Sequence, residues 1–125
     1  MLFDTDIIIW ALRGSIKAAA AIDKADERSI SAVSYMELVQ GVKDKKELKQ
    51  LSSFLSDCGI DIMPLTENIG HRAAIYMEEY TLKSGLRLAD ALIAATAAEN
   101  NLTLYTSNIK HYKTIEDLNI KTFKP

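Results

Sequence analysis

The amino-acid sequence predicts an α/β fold, a central parallel sheet of about five strands with helices on both faces. Two observations carry this. Short apolar segments of strand character alternate along the chain with longer segments of helical period. A hydrophobic fraction of 48% with 26% charged residues, over 125 residues, supplies a full core for one domain, read here as residues 1–125.

Residues 1–3 are apolar and read as a short buried strand that runs into Asp4-Thr5-Asp6. Residues 7–12 follow as a short helix, broken at Gly14 and Ser15. The alanine-rich stretch 16–25 has high helix propensity, and residues 29–31 make a second strand. In 33–42, Val33, Met36, Leu38 and Val39 recur at helical spacing, with Gly41 near the end. A further helix covers about 44–55. After Gly59, the alternation Ile60-Asp61-Ile62-Met63 gives a third strand, stopped by Pro64.

From 67 to 82, Ile69, Ala73, Tyr76, Met77 and Tyr80 form one apolar stripe, and Gly85 ends that unit. Residues 88–98 are apolar on nearly every side, which predicts a central buried helix carrying Asp90 in its first turn. Residues 103–105 and 120–123 are the fourth and fifth strands, with a short turn at 109–112 between them. In open parallel sheets functional groups gather outside the carboxyl ends of the strands. Asp4, Asp6 and Thr106-Ser107-Asn108 fall there.

The net charge of −2 excludes a protein that coats nucleic acid through an overall positive field. Any nucleic acid must be held locally. Lys43, Lys45, Lys46 and Lys49, or Lys110, His111 and Lys113, offer patches, with solvated helix faces as the competing reading. The single Cys58 allows neither an intrachain disulfide nor a cysteine-based zinc cluster, which fits a reducing compartment. The start does not read as a signal peptide, and no apolar run approaches the ~18 residues of a membrane span. A cytoplasmic protein without membrane contact is expected.

Asp4 ends an apolar strand, Glu37 lies early in the helix after the second strand, and Asp90 opens the buried helix, so the three carboxylates are expected to share one rim. Close together and unpaired they repel and are costly to desolvate, which calls for a cation. Hard oxygen donors suit Mg²⁺, with Mn²⁺ as a substitute, and such an ion suits phosphodiester chemistry by activating water and stabilising phosphoryl charge. Each acid has a plainer reading too. Ser34-Tyr35-Met36-Glu37 has capping-box spacing, Asp90 complements its helix dipole, Asp6 can cap the first helix, and Ser107 or Asn108 can cap the 109–112 turn. Arg87 is placed to meet phosphate or simply to be solvated.

Four ordered blocks carry a family resemblance: LFDTDIIIWAL, ISAVSYMELVQG, GLRLADALIAATAAENNLTLYTSN and IKHYKTIEDLNIKTF. The sequence resembles the PIN-domain ribonucleases, specifically VapC-like toxins of toxin–antitoxin modules. The resemblance implies a three-layer α/β/α sandwich, Mg²⁺-dependent endoribonuclease activity on an RNA substrate, inhibition by a cognate antitoxin protein, and a homodimer. Residue by residue it implies Asp4, Glu37 and Asp90 as catalytic acids and metal ligands, and Asp6 stands beside them as a further candidate ligand, with capping as its plainer reading. Thr5, Ser34 and Asn108 are accessory. Asp6 stands where the family often has Asn or Ser, and Asn108 where many members carry a fourth acid. A neutral Asn108 implies one firm metal ion and at most a weak second. Ile8, Trp10 and Leu12 are candidate interface residues, against core packing.

Two other readings compete. Asp4-Thr5-Asp6 after an apolar strand also resembles the nucleophile and acid pair of haloacid-dehalogenase-like phosphatases, although no Gly-Asp-x-x-x-Asp run follows. A non-catalytic binding module on the PIN-like scaffold is the other.

Overall fold

The computed structural model describes residues 1–125. Five parallel strands form one sheet: β1 Leu2–Phe3, β2 Ser29–Ser31, β3 Asp61–Met63, β4 Leu104–Thr106 and β5 Ile120–Thr122, in the order β3-β2-β1-β4-β5. Seven helices connect them: α1 Thr5–Leu12, α2 Ile16–Lys24, α3 Ala32–Gln40, α4 Lys45–Asp57, α5 Glu67–Ser84, α6 Leu88–Glu99 and α7 Ile109–Tyr112. The expected α/β class and parallel sheet are what is found.

β1 is the central strand, where Leu2 pairs with Ser29 on one side and Leu104 on the other. Two residues suffice to build both layers of core, because successive side chains of a strand point to opposite faces. Leu2 packs with Ile69, Ala73, Ile93, Ala94 and Leu104, beneath α5 and α6. Phe3 packs with Ile7, Ile8, Ala18, Ile22, Ile30 and Leu51, beneath α1, α2 and α4. Helix α6 is buried almost throughout, with Ala91, Ile93, Ala94, Ala95 and Ala97 enclosed, as its continuous apolarity predicts.

Local capping sets where the elements begin. Helix α1 starts two residues earlier than its apolar spacing suggests, because the side chain of Asp4 accepts the amide of Thr5. Helix α3 is capped by Ser31, whose hydroxyl accepts the amide of Val33 at 3.1 Å. Helix α5 closes on Gly85 at φ 68°, a left-handed conformation that favours glycine. Of the three apolar residues of α1 weighed between core packing and an interface, Ile8 is wholly buried, whereas Trp10 and Leu12 are exposed. No helix is long and apolar enough to cross a membrane.

Candidate active site

The parallel topology brings the carboxyl ends of β1, β2 and β4 to one edge, where a cleft of about 610 Å³ opens. Asp4, Thr5, Asp6, Glu37, Arg87, Asp90, Asn108 and His111 are among the residues that line it. All three principal acids of the sequence reading therefore reach a common wall.

Asp4 is only 6% exposed. Its Oδ1 accepts the Thr5 amide at 2.8 Å and its Oδ2 accepts the Thr106 hydroxyl at 2.7 Å. Burial pushes its carboxyl up to about 6, helped by the negative charge of Asp6 and, less, of Asp90, while the bonds from Thr106 and Thr5 pull the other way. No cation bonds to Asp4. Thr106 is itself fixed, because its Oγ1 accepts the Asn108 amide at 2.9 Å.

Thr5 links the first helix to the third. Its Oγ1 lies 2.8 Å from both Ser34 Oγ and Glu37 Oε1. A threonine hydroxyl has one proton and a carboxylate only accepts, so Thr5 donates to Glu37 and receives the proton of Ser34. Glu37 is thus steered from α1, and the capping-box reading fails: Ser31 took the cap position, leaving Ser34 buried inside the helix.

Asp6 does not cap α1 either, since Asp4 does. Its Oδ2 accepts both the amide of Ser107, at 3.0 Å, and the Ser107 hydroxyl, tying α1 to the turn after β4. Ser107 is thereby drawn away from capping α7; Asn108 holds the cap position without a side-chain bond to the helix. The other oxygen of Asp6, Oδ1, is buried with no hydrogen-bond partner.

Asp90 keeps part of its plain role, for its Oδ2 accepts the Arg87 amide at 3.4 Å. Arginine offers no acceptor in return, so the reciprocal half of a capping box is missing. Asp90 Oδ1 accepts the Tyr112 hydroxyl at 3.2 Å, and His111 Nδ1 stands 3.4 Å from Oδ2. Tyr112 escaped the sequence reading, Thr106 entered it only within the Thr-Ser-Asn segment, and His111 only as part of a basic stretch. The Thr-Ser-Asn segment was the available signal for Thr106, and nothing local marks Tyr112.

The donor set fits a hard divalent cation: oxygen ligands, a buried Asp4 carboxyl with the negative charges of Asp6 and Asp90 beside it, and one buried carboxylate oxygen without a partner. The acids do not form a ready-made cage, since no three acidic or histidine side chains are grouped closely enough to hold an ion as they stand. Glu37 is held by the Thr5 hydroxyl, and Asp90 by the Arg87 amide and the Tyr112 hydroxyl. An ion that keeps several waters, as Mg²⁺ does, can be shared by acids that stand apart.

The PIN domain family model matches residues 1–116. Ribonuclease VapC10 of Mycobacterium tuberculosis is 34% identical, over 94% of this chain and 90% of its own length. Ribonuclease VapC19 of the same organism is 32% identical, over 94% and 95%. Among solved structures, a toxin–antitoxin complex from Klebsiella pneumoniae contains a chain that superposes with a TM-score of 0.76 at 28% identity, covering 99% of this chain and 96% of that one.

Proposed function

Because the chain belongs to the PIN-domain family, in its VapC-like ribonuclease branch, we propose that it is a divalent-metal-dependent endoribonuclease and the toxin of a toxin–antitoxin pair. The observation that carries the metal-dependent reading is the uncompensated carboxylate cluster around Asp4 at the sheet's carboxyl edge. Asp4, Glu37 and Asp90 would hold Mg²⁺ or Mn²⁺, with Asp6 close by. When bound, the ion supplies an activated water and stabilises charge on the phosphoryl oxygens.

The chain's own residues set the stage for that chemistry. Thr5 and Thr106 hold Asp4 at the cleft wall by both oxygens. Thr5 also aims Glu37, with Ser34 behind it. Asp6, through Ser107, fixes the turn that carries Asn108. Arg87 and His111 on the cleft wall offer positive or hydrogen-donating groups to an RNA backbone. The engagement of Asp6 by Ser107 disfavours the phosphatase reading, which needs that acid free to protonate a leaving group.

A cognate antitoxin covering the cleft, and a dimer of the toxin, belong to the same proposal. The exposed Trp10 and Leu12 are the side chains on α1 available to such partners. Action on cellular RNA fits a cytoplasmic protein. The test is incubation of the purified chain with structured RNAs in Mg²⁺ or EDTA, beside Asp4→Asn. Cutting that requires Mg²⁺ and is lost in the variant is expected. A folded protein that cuts no RNA with either Mg²⁺ or Mn²⁺ would leave the non-catalytic binding module as the better account.

A further inference from the structure

Tyr112 is a core residue with a hydroxyl that the core does not need. Its side chain is completely buried, packed in the cluster that includes Leu2, Ile69, Ala91 and Leu104, where a phenyl ring would fill the same space. A buried hydroxyl must find a partner. This one donates to Asp90 Oδ1 at 3.2 Å, across 22 residues of sequence.

We propose that Tyr112 is a positioning residue, a neutral donor that fixes the rotation of the Asp90 carboxylate. With Oδ1 engaged by Tyr112, Oδ2 is left on the side of Arg87 and His111, which line the cleft. Neutrality matters here. A lysine or arginine in this place would cancel the negative charge that a divalent ion requires, whereas a phenol bound in its protonated form orients the carboxylate and leaves the charge intact. The inference rests on the metal-dependent reading of the cleft and assigns this chain's own device for shaping it.

The experiment is calorimetric titration of the full chain with Mn²⁺, for the unsubstituted protein and Tyr112→Phe, together with the metal-free melting temperature of each. Groups one step behind a metal ligand typically govern affinity by roughly 10–100-fold. The expected result is a loss of that order in Mn²⁺ affinity, with melting within a few degrees of the unsubstituted protein. Cleavage by the variant should recover as Mn²⁺ is raised. Unchanged affinity overturns the proposal. So does a fall in affinity accompanied by a collapse in melting temperature, or a variant that does not fold, since either assigns the hydroxyl to packing. Failure of the unsubstituted chain to bind Mn²⁺ is a different outcome, which removes the metal-dependent reading and this inference with it.

Discussion

The two ends of helix α6 carry the same chemistry arranged for opposite ends. Asp90 lies in its first turn and Glu99 is its last residue, on the order of 13 Å apart at the helical rise. At the Glu99 end, Arg72 bridges Glu99 and Asp117, and the Tyr76 hydroxyl donates to Asp117 at 3.0 Å. Those bonds, from Tyr76 and Glu99 above all, hold the guanidinium more firmly in its charged form, while burial lifts the Tyr76 phenol to about 12. At the Asp90 end, Asp4, Asp6, Glu37 and Asp90 share a cleft wall, hydrogen-bonded mainly by amides and hydroxyls. His111 is the one basic side chain paired there, and Arg87 makes no ion pair. The paired cluster fastens α5 and α6 to the segment before β5. The acidic one, paired only through His111, is costly to the fold, a cost that the proposed metal ion would offset.

The contrast is tested most strongly by Asp4→Asn. RNA cleavage should fall by more than the roughly 100-fold attributed to groups one step removed from a metal. The metal-free protein should at the same time become more stable at pH 7, because a buried charge is removed while Asn still accepts the Thr5 amide. Urea denaturation in EDTA, read beside a cleavage assay, measures both; a variant that loses activity and stability together would show that Asp4 serves the fold first.

The same carboxylate predicts a pH dependence. Folded Asp4 keeps its proton to about 6, whereas the unfolded value is 3.8. Between those values the folded state binds the extra proton, so the stability contributed by this group falls as pH rises from about 4 to 6 and stays lost above that. The size is about 3 kcal/mol, from 1.36 kcal/mol per unit. Denaturation of the metal-free protein across this range should show the decline, and Asp4→Asn should lack it. A parallel slope in both proteins would assign the effect to other groups.

At the opposite end, Arg72→Met should lower stability by about 1–2 kcal/mol, tempered by the partial exposure of Arg72 and Asp117. Cleavage and Mn²⁺ affinity should be unchanged. A stability loss confined within error to zero would make this cluster a surface ornament, and the comparison between the two ends would lose its structural half.

Much of this division was legible in the sequence, and its limits have a physical reason. Strand β2 and helix α6 were read nearly to their bounds, because three residues between clear breaks and a run of unbroken apolarity leave few alternatives. The acids Asp4, Glu37 and Asp90 were legible through their common rim and the family order of their motifs together, since Glu37 and Asp90 each have a helix-terminus reading when taken singly. Their immediate partners were not. Ser31 and Ser34 are equally able caps, and only the true end of β2 decides between them. Asp4 and Asp6 present the same ambiguity for α1. Thr106 meets Asp4 across 102 residues and Ser107 meets Asp6 across 101, separations over which local pattern carries no information. Trp10 and Leu12 were assigned by default to a core that they do not enter, since apolarity says what a residue prefers and not whether space is available.

The smallest expected effect concerns how many ions the unpaired end can hold. Asn108 is exposed on the cleft wall, its amide bonded to Thr106 Oγ1 and its side chain not spent on capping α7. A neutral amide oxygen is a weaker ligand than a carboxylate, so titration should show one firm ion and at most a weak second. Asn108→Asp restores charge at that position and should strengthen the second event while leaving the first, centred on Asp4, nearly unchanged. Stability in EDTA should drop slightly, since another like charge joins the wall. Two equally tight ions in the unsubstituted chain would mean that Asp6 provides the charge Asn108 lacks, and that its bond to Ser107 yields when an ion is present.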